Sequence, residues 1–325
     1  MSKQLEPGQA VPAHPSRRSQ EACFGGVQCE AYRASLSLLG LFVGSPPSDT
    51  GRQQDLRRYI VADLVLYDAT YEPERIGIVT LNNPDRRNAL SEAVLKELRE
   101  VLESIAVAGR VNAVIVRGAG TVYSSGHDLR EILYGEPTDV LRLFEVCDET
   151  MHVVNEIPQV VIAEVHGVAT AAGCQLVATA DLAVASTKAS FATPGVRIGF
   201  FCSTPAVALS RNVPRKKAAE MLFTGDPITA EEAERVGLVN KVVAPELLAE
   251  ETLALARRVA RFSSATLSTG KRNFYRQLQL NDAAASALAT QVMATSSQSP
   301  DAKEGIDAFL SKRDPTWSDR QLVTP

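Results

Sequence analysis

Two short runs in this chain have the residue types needed to hold a developing negative charge. The first is Tyr123-Ser124-Ser125-Gly126-His127-Asp128-Leu129, which follows a predicted strand and a glycine turn. Its small residues and Gly126 let backbone N–H groups face a ligand instead of closing a ladder. The second is His166-Gly167-Val168-Ala169-Thr170-Ala171-Ala172-Gly173-Cys174-Gln175, where a strand gives way to a helix of small side chains. A helix start offers unpaired N–H donors at the positive end of its dipole. Two such donors converging on one oxygen would stabilise an oxyanion. A small-residue helix start is more often a close-packing device, so neither run alone specifies a site.

The side chains around these runs that titrate near neutral pH are few. His127 is the only histidine in the predicted pocket, with an ordinary pKa of roughly 6.5. As a donor it needs only its backbone, which leaves its imidazole open to face solvent, a ligand or the reacting atoms. Asp128 reads as a structural carboxylate or a ligand neighbour, and His166 as a structural residue at a strand end. Glu164 falls on the strand itself. Cys174 and Cys202 read as small packing residues, because no cation or base is placed to make a thiolate. Tyr123, Thr193 and Arg197 are candidates for hydrogen bonds at the far end of the pocket. Arg86-Arg87, taken alone, is a solvated turn.

Positioning these groups requires an alternation of strands and helices, hence an α/β layered core. Arg75–Leu81 reads as a strand ending in the Asn82-Asn83-Pro84-Asp85 turn. Ser91 caps a predicted helix with Val94, Leu98, Val101, Leu102 and Ile105 at helical spacing. Asn112–Arg117, Val160–Val165 and Leu182–Ala185 read as strands. Val140, Leu143, Phe144, Cys147, Met151 and Val154 form a helical stripe that ends before Pro158. Past residue 245 the pattern is helical, with amphipathic stretches near 246–262, 282–297 and 301–312.

Of the 325 residues, 45% are hydrophobic and 22% charged, the balance of an ordinary globular protein. A formal net charge of -4 gives no electrostatic footprint for nucleic acid. No apolar run reaches the roughly 18 residues that would span a bilayer. The five cysteines are odd in number and irregularly spaced, which argues against a disulfide framework and for an intracellular, reducing compartment. Cys23 and Cys29 have no second Cys or His pair nearby, so no metal site is expected. Residues 1–58 are rich in Ser, Gly, Pro and Gln and carry no period, so this extension is expected to be disordered. Its arginines and serines suit a mitochondrial presequence, while its acidic residues argue against one.

In order and spacing, the two runs resemble those of the crotonase (enoyl-CoA hydratase/isomerase) superfamily. The resemblance spans about residues 64–315. It includes Asn83-Pro84 with Arg87-Asn88-Ala89-Leu90, Ser125–Leu129, Gly167–Gln175, Ala180–Ala183, Phe191–Gly195, Leu222–Gly225, Gly237–Val239 and Glu304-Gly305 with Phe309, Lys312 and Arg313. It implies an α/β fold in which a spiral of ββα units fills residues 59–260, followed by a C-terminal helical trimerisation region over 261–325. It also implies a homotrimer or dimer of trimers with no metal and no cofactor beyond a coenzyme A thioester, as substrate or ligand. By resemblance the oxyanion donors are the backbone amides of His127 and Ala172. Ser125, Gly126, Asp128, Leu129 and Ala171 line the coenzyme A path, Arg87 lies near its phosphates, and Phe309 and Lys312 reach it across a subunit boundary. The implied compartment is the mitochondrial matrix in a eukaryote and the cytoplasm otherwise.

The chain departs from the family where it matters most. Hydratases activate water between two glutamates, and Gln175 and Gly195 stand at those two positions. An amide does not titrate and glycine has no side chain, so the two-carboxylate route is closed. Three functions stay open: an acyl-CoA enzyme doing other enolate chemistry in fatty-acid metabolism, a catalytically silent thioester binder, and a weak hydratase. Restoring both glutamates is expected to recover some hydration if the loops are otherwise in place.

Overall fold

The computed structural model describes residues 64–71 and 73–320. The expectation of disorder for residues 1–58 lies outside the described residues. Ten strands, β1 (Val65–Thr70), β2 (Ile76–Leu81), β3 (Ala113–Gly118), β4 (Val122–Ser124), β5 (Val160–Val165), β6 (Val168–Thr170), β7 (Leu182–Ser186), β8 (Ser190–Ala192), β9 (Ile228–Thr229) and β10 (Lys241–Val243), form two sheets. The larger runs β1-β2-β3-β5-β7-β10 and the smaller β4-β6-β8-β9. Consecutive strands alternate between the sheets: β3, β5 and β7 pair in parallel in one, and β4, β6 and β8 in the other. A helix follows each such strand pair, which gives the spiral of ββα units. Parallel strands are covered on both faces, and accordingly β3 and β5 read as nearly unbroken apolar runs.

Helix α1 (Glu92–Ala108) starts where the Ser91 side chain accepts the Val94 amide, and it ends at Gly109 in the left-handed region. It buries Leu98, Leu102 and Ile105 with their neighbours on that face. A short α2 (Leu129–Tyr134) precedes the long α3 (Pro137–Glu156), which packs on α1. Helix α4 (Ala172–Thr179) is buried along its whole length, which its small side chains allow. Helix α5 (Ser203–Asn212) packs on α4, α6 (Arg215–Thr224) on the Pro194–Ile198 turn, and α7 (Ala230–Arg235) on β8 and β9 of the smaller sheet.

The C-terminal region comprises α8 (Leu248–Ala260), α9 (Ser264–Gln277), α10 (Asp282–Ser296) and α11 (Pro300–Leu310). Helix α9 falls in the region read as helical but outside its amphipathic stretches, since its composition is mostly Ser, Thr, Gly, Lys, Arg and Asn. A polar anchor holds it instead of an apolar stripe. Buried Lys271 donates to the carbonyls of Val154 and Gln159, both at 2.8 Å, and to Asp181 Oδ2 at 2.7 Å. All three ammonium donors are thus used. The Tyr275 hydroxyl donates to the other Asp181 oxygen at 2.6 Å. Helix α10, expected to be amphipathic, buries none of its residues, and α11 leaves Phe309 83% exposed.

Candidate functional site

The two glycine-bearing runs meet in space, and the sequence explains how. Ser125–Asp128 leave β4 beside the segment Arg87–Leu90, which pins them. The Ser125 amide donates to the Arg87 carbonyl at 3.0 Å, and the Leu90 amide to the Gly126 carbonyl at 2.7 Å. Buried Asn88 donates to the carbonyls of Ala119 and Val122, and the Ser124 hydroxyl donates to the Asn88 carbonyl. Beyond the β4–β6 pairing, a side chain staples the two runs together: the Thr170 hydroxyl donates to the Ser125 carbonyl at 3.0 Å.

Gly126 is the point of closest approach. Its φ is +84°, and a Cβ there would lie 2.8 Å from the Ala171 Cβ and 3.1 Å from the Ala172 nitrogen. Only glycine lets the backbones come this near. Ala171 has φ 50° and ψ -119°, a conformation unusual for alanine and worth about 1–3 kcal/mol of strain. Its own amide donates to the Ala192 carbonyl. The next amide, of Ala172, opens helix α4 and makes no turn, loop or cap hydrogen bond among the described residues; nor does that of His127. Two free N–H donors therefore stand on runs that touch.

They border a cavity of about 580 Å³. Ser125, His127, Leu129, Ala171, Ala172 and Gly195 all line it, so six of the residues singled out in the sequence come together. Apolar side chains dominate the remaining wall, with Ile132, Phe144, Ile198, Phe200 and Phe201 prominent. The sequence reading missed these five. Phe144 was assigned to a core stripe, and the Phe200-Phe201 pair, in a chain only 6% aromatic, was the available signal.

Among the described residues, no Asp or Glu lines the cavity. Asp128 caps α2 by accepting the Arg130 amide and pairs with Arg86 at 3.6 Å. Glu131 accepts the Glu92 amide at 3.0 Å, and burial pushes its pKa up. Arg197 lines the cavity, but its guanidinium is held by Asp226 and the Thr224 carbonyl. The His127 ring donates from Nδ1 to the Leu90 carbonyl at 3.0 Å, which leaves the lone pair on Nε2. Burial holds its pKa below the ordinary value, with the Leu90 bond opposing in part. Phe144 packs edge-on against the ring at 5.2 Å.

Three expectations change. Tyr123 is fully buried in the core and does not line the cavity. Thr193 is likewise fully buried and absent from the wall. Gly195 cannot simply be given back a side chain, because a Cβ there would stand 2.0 Å from the Phe200 carbonyl oxygen and 2.8 Å from Cys202 Sγ. Gln175 sits buried on α4 with Oε1 unpartnered, away from the wall. Arg87 is exposed and outside the cavity, its backbone alone touching the site. Phe309 and Lys312 lie at the end of α11, also outside it. Burial pushes the Cys174 thiol up to about 12 and raises that of Cys202, so both stay protonated near neutral pH. No helix among the described residues is long and apolar enough to cross a membrane.

Comparison with known proteins gives concordant matches. The enoyl-CoA hydratase/isomerase family model matches residues 72–320. The mitochondrial enoyl-CoA hydratase domain-containing protein 3 of Rattus norvegicus is 48% identical over 251 residues, 77% of this chain and 84% of the relative. The 2,3-dehydroadipyl-CoA hydratase of Escherichia coli (strain K12) is 31% identical over 248 residues, 76% of this chain and 96% of that protein. The crystal structure of human enoyl coenzyme A hydratase domain-containing protein 3 superposes with a TM-score of 0.75 at 45% identity, covering 78% of this chain and 100% of that one.

Proposed function

Because this chain belongs to the enoyl-CoA hydratase/isomerase family, we propose that it binds an acyl-coenzyme A thioester, with the thioester oxygen between the His127 and Ala172 amides. Those donors stabilise the enolate form without the two-glutamate hydration chemistry. The observation that carries this reading is the contact of the two runs at Gly126, with both amides free beside an apolar cavity that holds no carboxylate. Oriented N–H donors at a site of low dielectric are the largest single source of enolate stabilisation. Fold alone does not choose a reaction; the missing acids do. Gln175 is neutral, and the space at Gly195 is filled by the Phe200 carbonyl.

A silent binder is the second reading, favoured by the same absence of acids. In either case the acyl chain lies against Phe144, Phe200 and Ile198, and the role belongs to fatty-acid and acyl-CoA metabolism. The exposed Phe309, Leu310 and Met293 of the last two helices support a homotrimer or dimer of trimers. The mitochondrial relatives support the mitochondrial matrix if the source is a eukaryote.

The test is calorimetric titration with butyryl-, octanoyl- and crotonyl-CoA and with free coenzyme A, scored separately from turnover. Thioesters should bind at least about tenfold tighter than free coenzyme A, a gain of about 1.4 kcal/mol. Crotonyl-CoA hydration should stay several orders of magnitude below that of a two-glutamate enzyme, since each acid/base group is worth about 10²–10⁴-fold. Equal affinity for free coenzyme A, or brisk hydration, would overturn the reading.

A further inference from the structure

We infer that the acyl group taken by this site is an uncharged hydrocarbon, and that Asp226 enforces the choice by keeping Arg197 from an acyl carboxylate. This rests on the acyl-thioester reading above and deepens it, since that reading names no acyl class and gives Asp226 no part.

The cavity wall is short of charge. Among the described residues, Arg197 is its only side chain with a fixed charge, and burial keeps His127 neutral near pH 7. The Thr170 hydroxyl is taken by the Ser125 carbonyl. Most of the remaining wall is apolar, with the Phe144 and Phe200 rings 6.0 Å apart within it. A carboxylate brought into such a place gives up its water and needs a counter-charge in return. Arg197 is the one candidate.

Arg197 is already committed elsewhere. Its Nε donates to the Thr224 carbonyl at 3.1 Å, and its Nη2 donates to Asp226 Oδ1. A Cβ on Gly225 would stand 3.1 Å from the Arg197 Cγ and 3.2 Å from its Nε, so the stem lies along the glycine backbone. Gly225 closes helix α6, whose negative dipole end favours a cation. None of Thr224, Gly225 and Asp226 lines the cavity, so these bonds tie the guanidinium to groups outside the wall. An acyl carboxylate that reached Arg197 would meet a charge Asp226 has already neutralised. It would also stand as a second carboxylate beside the first, and like charges repel. A hydrocarbon end meets neither penalty and buries apolar surface. The Arg197 and Asp226 side chains are 52% and 65% exposed, so cutting the pair should leave the fold intact.

The experiment measures dissociation constants of the full-length protein by calorimetry for hexanoyl-CoA and adipoyl-CoA, thioesters of equal carbon count that differ in the terminal group. Wild type should bind hexanoyl-CoA at least about tenfold tighter than adipoyl-CoA, because the extra carboxylate finds no free counter-charge. Asp226→Asn should narrow that ratio about three- to fivefold, the upper range of an exposed ion pair, through tighter adipoyl-CoA binding. The gain should shrink in high salt, and adding Arg197→Gln should abolish it. Equal wild-type affinity for the two thioesters would overturn the inference. So would a ratio that Asp226→Asn leaves unchanged, or a gain that persists without Arg197. Failure of hexanoyl-CoA and octanoyl-CoA alike to bind would instead remove the thioester reading beneath it. Should Asp226→Asn misfold, Asp226→Ser takes its place at this exposed position and is read by the same ratio.

Discussion

Gly195 offers the sharpest test of how the site is built. Sequence logic alone suggests that Gln175→Glu with Gly195→Glu would regain hydration. The backbone says otherwise. Any Cβ at 195 would sit 2.0 Å from the Phe200 carbonyl oxygen, about 1 Å inside the shortest contact real side chains make. That carbonyl cannot easily retreat. Its own residue donates from N to the Gly195 carbonyl at 2.9 Å, and the Gly195 amide donates to Cys202 Sγ at 3.3 Å. Overpacking of this kind costs about 1–3 kcal/mol, occasionally more. Losing both hydrogen bonds as the turn opens adds about 0.5–1.5 kcal/mol each, so about 2–6 kcal/mol in all. Because the clash lies at Cβ, Gly195→Ala should destabilise nearly as much as Gly195→Glu. Urea denaturation of wild type, both Gly195 variants and Gln175→Glu measures this directly, with crotonyl-CoA hydration assayed on each. Gln175→Glu alone should fold and still hydrate poorly. A double glutamate variant with wild-type stability and a hundredfold gain in hydration would refute the reasoning.

Lys271→Met should destabilise by about 1–3 kcal/mol, since it removes the ion pair to half-buried Asp181 and leaves the Val154 and Gln159 carbonyls without their donor, and easier limited proteolysis of helix α9 should accompany it. Thr170→Val removes the staple to Ser125; it should cost about 1 kcal/mol in denaturation and weaken octanoyl-CoA binding more than that of free coenzyme A. Arg87→Ala and Lys312→Ala should each weaken coenzyme A thioester binding by less than about tenfold, because both side chains are exposed; unchanged dissociation constants in both would remove them from the binding path. His127 is held below its ordinary pKa, so between that lowered value and about 6.5 the unfolded chain binds more protons than the folded one. Stability should therefore fall as pH drops below about 6.5, and His127→Gln should flatten part of that slope in denaturation series across pH 5–7.5.

Much of this was legible in the residues. Strands β2, β3, β5 and β7 and helices α1 and α3 follow from apolar period, with the Ser91 cap for α1, because their burial is one-sided or complete; the shorter strands carry too few residues to show a period. The glycine-bearing runs were legible because their chemistry is carried by backbone, whose freedom depends on small residue types. How helix α9 packs was not legible, since a buried lysine does the work of an apolar stripe. The aromatic wall was missed because Phe144 lies on the same helical face as core residues, and periodicity cannot separate core from cavity lining. Nor could any sequence pattern place the Phe200 carbonyl against Gly195, which depends on how a turn closes.

Helix α10 runs for 15 residues, packs on α9 and buries none of its own residues fully. A helix of that length is only marginally stable by itself in water. Its order therefore leans on α9, and anything that bound its exposed side would shift folding by mass action. If copies of this chain associate through that side, dilution becomes a structural variable. Helical content and melting temperature should both drift with protein concentration, and a single stability value would describe only the concentration at which it was taken.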